Sequence, residues 1–268
     1  MVEPLATWKV DELGVRVYPN REAMGTAAAE ELARFLASLP DTQSSVNLVF
    51  AAAPSQDEFL AALASRNDID WGRVQAFHLD EYVGLPREAP QKFMNYLKDH
   101  IFDKVFPRKV YYIDTGEASP EAICRRYAEL LQANPVDVAC LGIGENGHIA
   151  FNDPSVADFE DPELVKIVNL DETSRRQQVH DGCFETLEEV PTHAITMTIP
   201  AIMSAKRIIC VVPGPTKRKA VRRTLLGPIT TACPASILRR HPNATLFLDL
   251  EAAELVLDRL GGGGWVRR

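Results

Sequence analysis

Residues 142–153 read GIGENGHIAFND, and this stretch decides the expected fold. It follows an apolar run at 136–141 that has the composition of a buried parallel strand. Its three glycines allow the backbone to turn sharply and to approach a bound group closely. Two titratable side chains, His148 and Asp153, come directly afterwards. Open α/β sheets bind their ligands at such turns, beyond the carboxyl ends of parallel strands.

The glycine spacing also matches the dinucleotide fingerprint, with Gly142, Gly144 and Gly147 in its three positions. That fingerprint requires a long helix directly after the turn, whose N-terminus faces a pyrophosphate. Pro154 ends any such helix within two turns, because proline lacks an amide donor and disfavours helical geometry before it. The context therefore argues against a nucleotide site.

Strand-like and helix-like segments alternate along the chain. Apolar runs typical of strands lie at 46–53, 74–79, 110–113, 136–142, 208–212 and 245–250. Amphipathic segments typical of helices lie at 22–38, 55–64, 90–102, 120–132 and 217–226. This alternation predicts an α/β fold: a mostly parallel open sheet with helices on both faces, Rossmann-like in its crossover connections.

Composition limits the domain organisation and the partners. The 268 residues are 46% hydrophobic and contain no convincing linker, which predicts a single domain over 1–268 with a mobile tail at 261–268. The net charge of -8, without a long basic run, argues against nucleic acid as a partner. No apolar run reaches about 18 residues, which argues against a membrane span. Residues 153–194 are polar and irregular, and we expect a lid or an excursion over the site there.

Cysteine and histidine spacing predicts neither disulfides nor a metal site. The five cysteines are scattered singly, without a CxxC pattern, which fits a reducing cytoplasm. Residues 1–30 carry acids throughout and lack an apolar core, so no signal peptide is expected. The histidines do not cluster with cysteines or acids at metal-ligand spacing, so no metal is expected.

A second informative stretch, at 77–86, reads FHLDEYVGLP. Asp80 and Glu81 follow an apolar strand there, at the same sheet edge as the 142–153 turn if both strands are parallel. A carboxylate at that edge serves as a general base that removes a proton from carbon beside a carbonyl. The alternative is a helix cap or turn acid, but two acidic strand ends in one crevice favour catalysis. His78, one residue inside the strand, is either core or pocket wall.

His148 is the second catalytic candidate. Histidine transfers protons near neutral pH because its unperturbed pKa is about 6.5. A nearby acid such as Asp153 orients the ring and favours its protonated form. The alternative is a structural histidine, and the position in a glycine-rich turn at a strand end favours the catalytic interpretation.

Two further turns predict a phosphate site. Lys217 begins a helix after the strand-like 208–212 and a Gly/Pro turn, and a helix N-terminus with a lysine can hold a phosphate. The turn at 51–56, AAAPSQ, offers amides and the Ser55 hydroxyl to the same anion. The alternatives are a solvated helix face for Lys217 and, for Ser55, a helix cap with Glu58 completing a capping box.

These stretches resemble the glucosamine-6-phosphate deaminases, which belong to a wider family that includes the 6-phosphogluconolactonases. The similarity covers 20–255 and is most specific at 79–85, LDEYVGL, and at 142–152, GIGENGHIAFN. Tyr82 and the HIAFN ending favour the deaminase branch over the lactonase branch. The resemblance implies catalysis without a metal or an organic cofactor.

By this resemblance, Asp80 would move the C2 proton of the sugar during enolisation, and His148 would open the sugar ring with help from Asp153. The implied catalytic residues are Asp80, Asn146, His148 and Asp153. The implied substrate-binding residues are Ser55, Glu81, Gly144, Gly147 and Lys217.

The chain departs from the family pattern around both parts of the site. Asn146 stands where the family often has Asp, and Asp153 where it usually has Glu. Residues 52–55 read AAPS where the family has a TGGT phosphate loop, and Pro54 lacks an amide donor. The catalytic pair is therefore better supported than the phosphate site.

The family's phosphate-binding arginine is the hardest residue to match. It falls in the segment that corresponds to 175–184. Arg175 and Arg176 lie a few residues early, and the matching place, 180–182, reads HDG. No arginine is therefore assigned to the phosphate.

The leading prediction is an amino-sugar-phosphate deaminase that converts glucosamine 6-phosphate and water to fructose 6-phosphate and ammonia. A lactonase would activate water at His148 without any C2 proton transfer. A non-catalytic sugar-phosphate-binding module would need neither Asp80 nor His148, and residues 1–20 are too short for a DNA-binding helix pair. The expected partner is a small-molecule sugar phosphate, and a cytoplasmic homo-oligomer is expected.

Overall fold

An eight-stranded sheet carries helices on both faces, and a three-stranded antiparallel sheet accompanies it. The protein is described by a computed structural model over residues 2–40, 42–116 and 118–260, and the predicted mobile tail lies outside these residues. The strands are β1 (Ala6–Val10), β2 (Leu13–Tyr18), β3 (Val46–Phe50), β4 (Val74–His78), β5 (Asp80–Tyr82), β6 (Lys109–Tyr111), β7 (Val138–Leu141), β8 (Val165–Asn169), β9 (His193–Met197), β10 (Arg207–Val212) and β11 (Ala244–Asp249). The helices are α1 (Arg21–Ser38), α2 (Asp57–Ala64), α3 (Phe93–Leu97), α4 (Asp103–Val105), α5 (Pro120–Ala133), α6 (Glu172–His180), α7 (Ile199–Met203), α8 (Arg218–Leu226), α9 (Leu250–Ala253) and α10 (Leu257–Leu260).

The order of strands in the main sheet is β1-β2-β11-β10-β7-β3-β4-β6, and all neighbouring pairs are parallel except β1 with β2. From β3 the chain moves outward through β4 to β6. It then returns to the other side of β3 with β7, and moves outward through β10 to β11. The order therefore reverses between β3 and β7, and open α/β sheets have a crevice at such a switch point.

The central strands are buried on both faces, as parallel strands covered by helices must be. Every residue of β3, β7 and β11 is buried. Val49 of β3 belongs to one core cluster, together with Ile123 of α5 and Val221 of α8. The next residue, Phe50, belongs to a second cluster with Met24 of α1. The predicted α/β class is confirmed.

All the predicted strands and helices are present, although their ends shift by a few residues. The predicted helix at 90–102 begins at Phe93 and continues beyond α3 as a π-helical turn, Lys98–Phe102. The predicted strand at 110–113 is the shorter β6. Within the described part of the chain, no helix is both long and apolar enough to cross a bilayer.

The expectation that 153–194 is irregular is wrong, but the expected excursion over the site is present, since its residues Gln177 and Gln178 line the cleft described below. This segment contains β8, α6 and the first residues of β9, and β9 is the central strand of the small sheet, between β5 and β8. The buried side chains of α6 are Ser174, Gln177 and Gln178. Because all three are polar, the helix lacks the apolar periodicity that sequence analysis depends on.

Candidate active site

A cleft opens at the carboxyl ends of β3, β4, β7 and β10, beside the switch point. The predicted site residues that line it are Ser55, Asp80, Gly144, His148 and Lys217. The cleft is also lined by glutamines that the sequence analysis did not single out, Gln56, Gln177 and Gln178. Four strand ends thus place the predicted acid, imidazole and lysine around one space.

The glycine-rich turn after β7 is shaped around the histidine ring. The amide of Gly144 donates a hydrogen bond to the carbonyl oxygen of His148, over 3.0 Å. A Cβ atom on Gly144 would lie 2.0 Å from Cε1 of His148, so only glycine leaves room for the ring. Gly147 has a φ of +93°, and a Cβ there would lie 2.8 Å from Sγ of Cys233. Gly147 therefore shapes the turn from behind and does not line the cleft.

His148 is held through one of its two ring nitrogens. Its Nδ1 donates to Oδ1 of Asn146 over 2.9 Å, and lies 3.1 Å from Oδ1 of Asp153 and 2.9 Å from Oγ of Ser174. The acceptor oxygens around Nδ1 place the proton on that nitrogen. Nε2 forms no hydrogen bond within the described residues. In the neutral ring, Nε2 is therefore the basic nitrogen available to a ligand.

Asp153 does not line the cleft and lies behind the ring of His148. Its carboxylate is fully buried and accepts hydrogen bonds from the Asn146 amide, the Ser174 hydroxyl and the backbone amide of Asp171. Burial by itself raises the pKa of Asp153, but the hydrogen bonds and the charge of His148 outweigh it and lower that pKa to about 2. The carboxylate is therefore charged at neutral pH. Asn146 also lies outside the cleft. Its side-chain amide connects His148 to Asp153, since its oxygen accepts from His148 and its nitrogen donates to Asp153.

Asp80 stands at the opposite wall of the cleft, where β4 passes into β5. Burial, and the nearby charges of Glu81 and Asp153, raise the pKa of Asp80 well above that of an ordinary carboxyl. The backbone at this point is fixed by His78, whose Nδ1 donates to the carbonyl oxygen of Asp80 over 2.9 Å. Such a carboxylate is a stronger base than one in water.

His78 is a core residue. It is fully buried, and its Nε2 accepts a hydrogen bond from the amide of Ile113 over 2.8 Å. Burial lowers the pKa of His78 to about 4. The ring is therefore neutral at physiological pH, and it supports Asp80 without facing the cleft.

The structure does not bring Glu81 to the cleft, where the resemblance had placed it. Its carboxylate is fully buried and accepts hydrogen bonds from the backbone amides of Tyr82, Phe93 and Met94, over 2.9 to 3.1 Å. Two of these amides belong to the first turn of α3. The N-cap residue of that helix makes no side-chain hydrogen bond, so Glu81 takes the place of a cap. Burial raises the pKa of Glu81 to about 7 despite these bonds. Alternation along β5 explains the outcome, since adjacent strand residues point to opposite faces.

Lys217 and Ser55 occupy the other end of the cleft. The Lys217 side chain is only 4% exposed, and it makes no hydrogen bond or ion pair within the described residues. Burial lowers the pKa of Lys217, although the carboxylates of Asp181 and Glu145 oppose that shift. The Gln56 amide donates to Oγ of Ser55 and to the carbonyl oxygen at Val211, each over 3.1 Å. These bonds tie the turn after β3 to the end of β10.

The capping box considered for Ser55 does not form. A 3-10 turn, Pro54–Gln56, precedes α2, and Ser55 makes no cap hydrogen bond there. Glu58 instead forms a bidentate ion pair with Arg21 of α1. The Ser55 hydroxyl accepts from Gln56 and lines the cleft, and its own proton is left for a ligand.

Neither arginine of α6 reaches the cleft. Arg175 donates to the carbonyl oxygens of Leu187 and Val190, and Arg176 pairs with Glu172 on the surface. The side chains that α6 presents to the cleft are the next two, Gln177 and Gln178. Among the described residues, no group of three His, Cys, Asp or Glu side chains is placed to hold a metal ion.

The strand order and the cleft define an open α/β protein that binds a small molecule at its switch point. Residues 19–247 match the model of the family described as glucosamine-6-phosphate isomerases/6-phosphogluconolactonase, and the chain belongs to that family.

Similar proteins come from both branches of the family. The chain is 46% identical to the glucosamine-6-phosphate deaminase of Bacillus thuringiensis (strain Al Hakam), over 71% of each chain. A solved structure described as a monomeric glucosamine-6-phosphate deaminase is 30% identical, with a TM-score of 0.81, and covers 90% of this chain and 99% of its own. A 6-phosphogluconolactonase from Shewanella baltica OS155 is 19% identical, with a TM-score of 0.74 over 90% of this chain and 100% of its own. The last similarity shows a shared fold only.

Proposed function

We propose that this protein is an amino-sugar-phosphate deaminase that converts glucosamine 6-phosphate and water to fructose 6-phosphate and ammonia. The observation that carries the proposal is the meeting of Asp80 and His148, from different strands, in one cleft that also contains Lys217. The 46% identity to a glucosamine-6-phosphate deaminase supports the same substrate class.

His148 opens the sugar ring in the proposed mechanism. Its Nε2 accepts the proton of the C1 hydroxyl and returns it to the ring oxygen, so that the C1–O5 bond breaks and an aldehyde forms. The imidazolium that exists between these steps lies beside the buried carboxylate of Asp153, which stabilises its charge. Asn146 and Ser174 keep the ring in the orientation that directs Nε2 to the cleft.

Asp80 then carries out the isomerisation. Its carboxylate removes the proton from C2, which is acidic because it lies beside the aldehyde, and an enaminolate forms with its negative charge on O1. Return of a proton to C1 gives an imine at C2. Water adds to that imine, and ammonia leaves as the C2 ketone forms. The raised pKa of Asp80 suits a base for so weak a carbon acid.

Lys217 and Ser55 bind the phosphate in this proposal. Lys217 follows β10 and Asp80 follows β4, and β7 and β3 lie between them in the sheet. At a strand spacing of about 4.8 Å, the two ends of the cleft are roughly 14 Å apart. An opened hexose with its phosphate can therefore reach Lys217 while its C2 atom lies at Asp80.

An ammonia-release assay in deuterium oxide tests the proposal against the lactonase alternative. The substrates are glucosamine 6-phosphate, galactosamine 6-phosphate, their N-acetylated forms and 6-phosphogluconolactone. We expect ammonia from a free amino sugar phosphate and one solvent deuteron on C1 of the ketose product. Lactone hydrolysis without ammonia release from any amino sugar would refute the deaminase proposal.

The compartment and the assembly belong to the proposal as well. We propose a cytoplasmic protein, and the five cysteines, all free in the structure, support a reducing environment. The homo-oligomer stays a prediction, since one similar structure is described as monomeric. Light scattering on a size-exclusion column measures the mass directly.

A further inference from the structure

Gln178 of α6 presents an unpaired amide to the phosphate end of the cleft. The residue is 7% exposed and lines the cleft, and its side chain makes no hydrogen bond within the described residues. Its neighbour Gln177 differs, since its Oε1 accepts from the amide of Glu145 and its Nε2 donates to Oδ2 of Asp181. Gln177 therefore fixes α6 to the glycine-rich turn, whereas Gln178 is left for a ligand.

Like Gln178, Lys217 lacks a protein partner for its side chain. Both side chains are almost completely withdrawn from solvent, line the same cleft and lack a polar partner within the described residues. Asp181, one residue beyond α6, acts electrostatically on Lys217, so the end of this helix lies near the lysine. The polar atoms of both side chains still reach the solvent of the cleft, so each can exchange water for the acceptor atoms of a ligand.

The charge at this end of the cleft is low for a phosphate site. Lys217 is the cleft-lining cation among the described residues, and the carboxylates of Asp181 and Glu145 lie close enough to act on it. Neutral hydrogen-bond donors must therefore supply much of the contact with an anion. The Ser55 hydroxyl and the Gln178 amide are cleft-lining side-chain groups that can do so, beside the backbone amides of the turn at 51–56.

We infer that Gln178 is a substrate-binding residue that donates its amide to the substrate phosphate, beside the single positive charge of Lys217. The inference rests on the proposed function for its ligand, a sugar phosphate. A neutral side chain makes the contact that the family resemblance assigns to an arginine. The phosphate is thus bound by one ammonium group and neutral donors.

Calorimetric titration with fructose 6-phosphate and with inorganic phosphate tests this assignment. Gln178→Leu should weaken the binding of both ligands by roughly tenfold, with an unchanged melting temperature. Gln178→Arg, which adds a second positive charge, should tighten both. Arg176→Leu is the matched control, because Arg176 lies on the exposed side of the same helix, and it should bind both ligands like the wild type.

Wild-type affinity for fructose 6-phosphate in Gln178→Leu would overturn the inference, and so would a loss that spares inorganic phosphate. Affinity in Gln178→Arg that is equal to or weaker than wild type would also overturn it. These measurements need no turnover. A wild-type protein that binds fructose 6-phosphate but releases no ammonia would refute the proposed function and leave the assignment of Gln178 standing. Normal ammonia release by the wild type, together with unaltered binding in Gln178→Leu, would support the proposed function and refute the assignment of Gln178.

Discussion

The two ends of the cleft are built in opposite ways. At the end that contains His148, the protein satisfies the ring nitrogen Nδ1 with three oxygen atoms and buries the carboxylate of Asp153 behind it. At the other end, the side chains of Lys217 and Gln178 have no protein partner within the described residues. The first arrangement orients a group for proton transfer, and the second leaves donors for a ligand.

This difference predicts which kinetic constant each residue controls. A group that acts only in the transition state changes kcat, whereas a group that binds substrate and transition state equally changes KM. Substitutions at the Asp80 and His148 end should therefore lower kcat, and substitutions at the Lys217 end should raise KM. A variant at Asp80 or His148 that raises only KM, or one at Lys217 that lowers only kcat, would contradict this division of the cleft.

The largest effect is expected for Asp80→Asn, because the amide cannot accept the C2 proton. We expect kcat to fall about a thousandfold or more, with little change in the affinity for fructose 6-phosphate. The same variant should melt at a higher temperature. Folding raises the pKa of Asp80, so the charged form opposes folding at neutral pH and a neutral isostere removes that cost. Steady-state kinetics and thermal unfolding measure both changes, and near-normal kcat would refute the assigned base.

A smaller loss is expected for Asp153→Asn. The amide keeps the shape of the side chain but removes the charge that stabilises an imidazolium at His148. We expect kcat to fall about a hundredfold with KM almost unchanged. An increase in KM without a change in kcat would mean that Asp153 acts in binding, contrary to its position behind the ring.

Lys217→Met tests the other end of the cleft. Removing the ammonium group should raise KM for glucosamine 6-phosphate roughly thirtyfold, while kcat stays close to that of the wild type. Lys219→Met is the matched control, since Lys219 lies in α8 outside the cleft and should show wild-type kinetics. Equal KM values for the two variants would remove Lys217 from the phosphate site.

The pH dependence of kcat/KM sharpens the assignment of the base. Asp80 must be deprotonated to act, so the rate falls as the pH drops below its pKa. Because that pKa is raised, the acid limb should lie above the range of ordinary carboxyl groups. Asp153, with a pKa of about 2, stays charged across this limb and cannot cause it. An acid limb in the ordinary carboxyl range would contradict the environment described for Asp80.

The smallest effect on activity is expected for Glu81→Gln, although Glu81 is the neighbour of the catalytic base. Its two oxygens accept three backbone hydrogen bonds, and a glutamine would place a donor against one of those amides. We expect the free energy of unfolding to fall by about 2 kcal/mol, and kcat/KM to stay within about threefold of wild type. Urea denaturation and steady-state kinetics separate the two roles. A large loss of kcat in a stably folded variant would mean that Glu81 takes part in catalysis.

The parts of the site that were predicted from the sequence are those carried by strand ends and their turns. His148 and Asp153 lie in one short stretch whose glycines predict a turn, and Asp80 follows an apolar run that predicts a strand. Residues of α6 could not be found in this way, because the buried face of that helix is polar. Gln178 has no signature of its own, since an amide is common on any surface.

The sequence alone determined the alternation of strands and helices, and with it the parallel sheet whose carboxyl edge carries the site. It also determined that a glycine-rich turn with His148 follows the strand at 136–141. Only the tertiary structure decided that Asp80 faces the cleft while Glu81 faces the core, and that α6 presents Gln178 in place of an arginine. Adjacent residues of a strand differ only in the face they occupy, and that face is set by what packs against it.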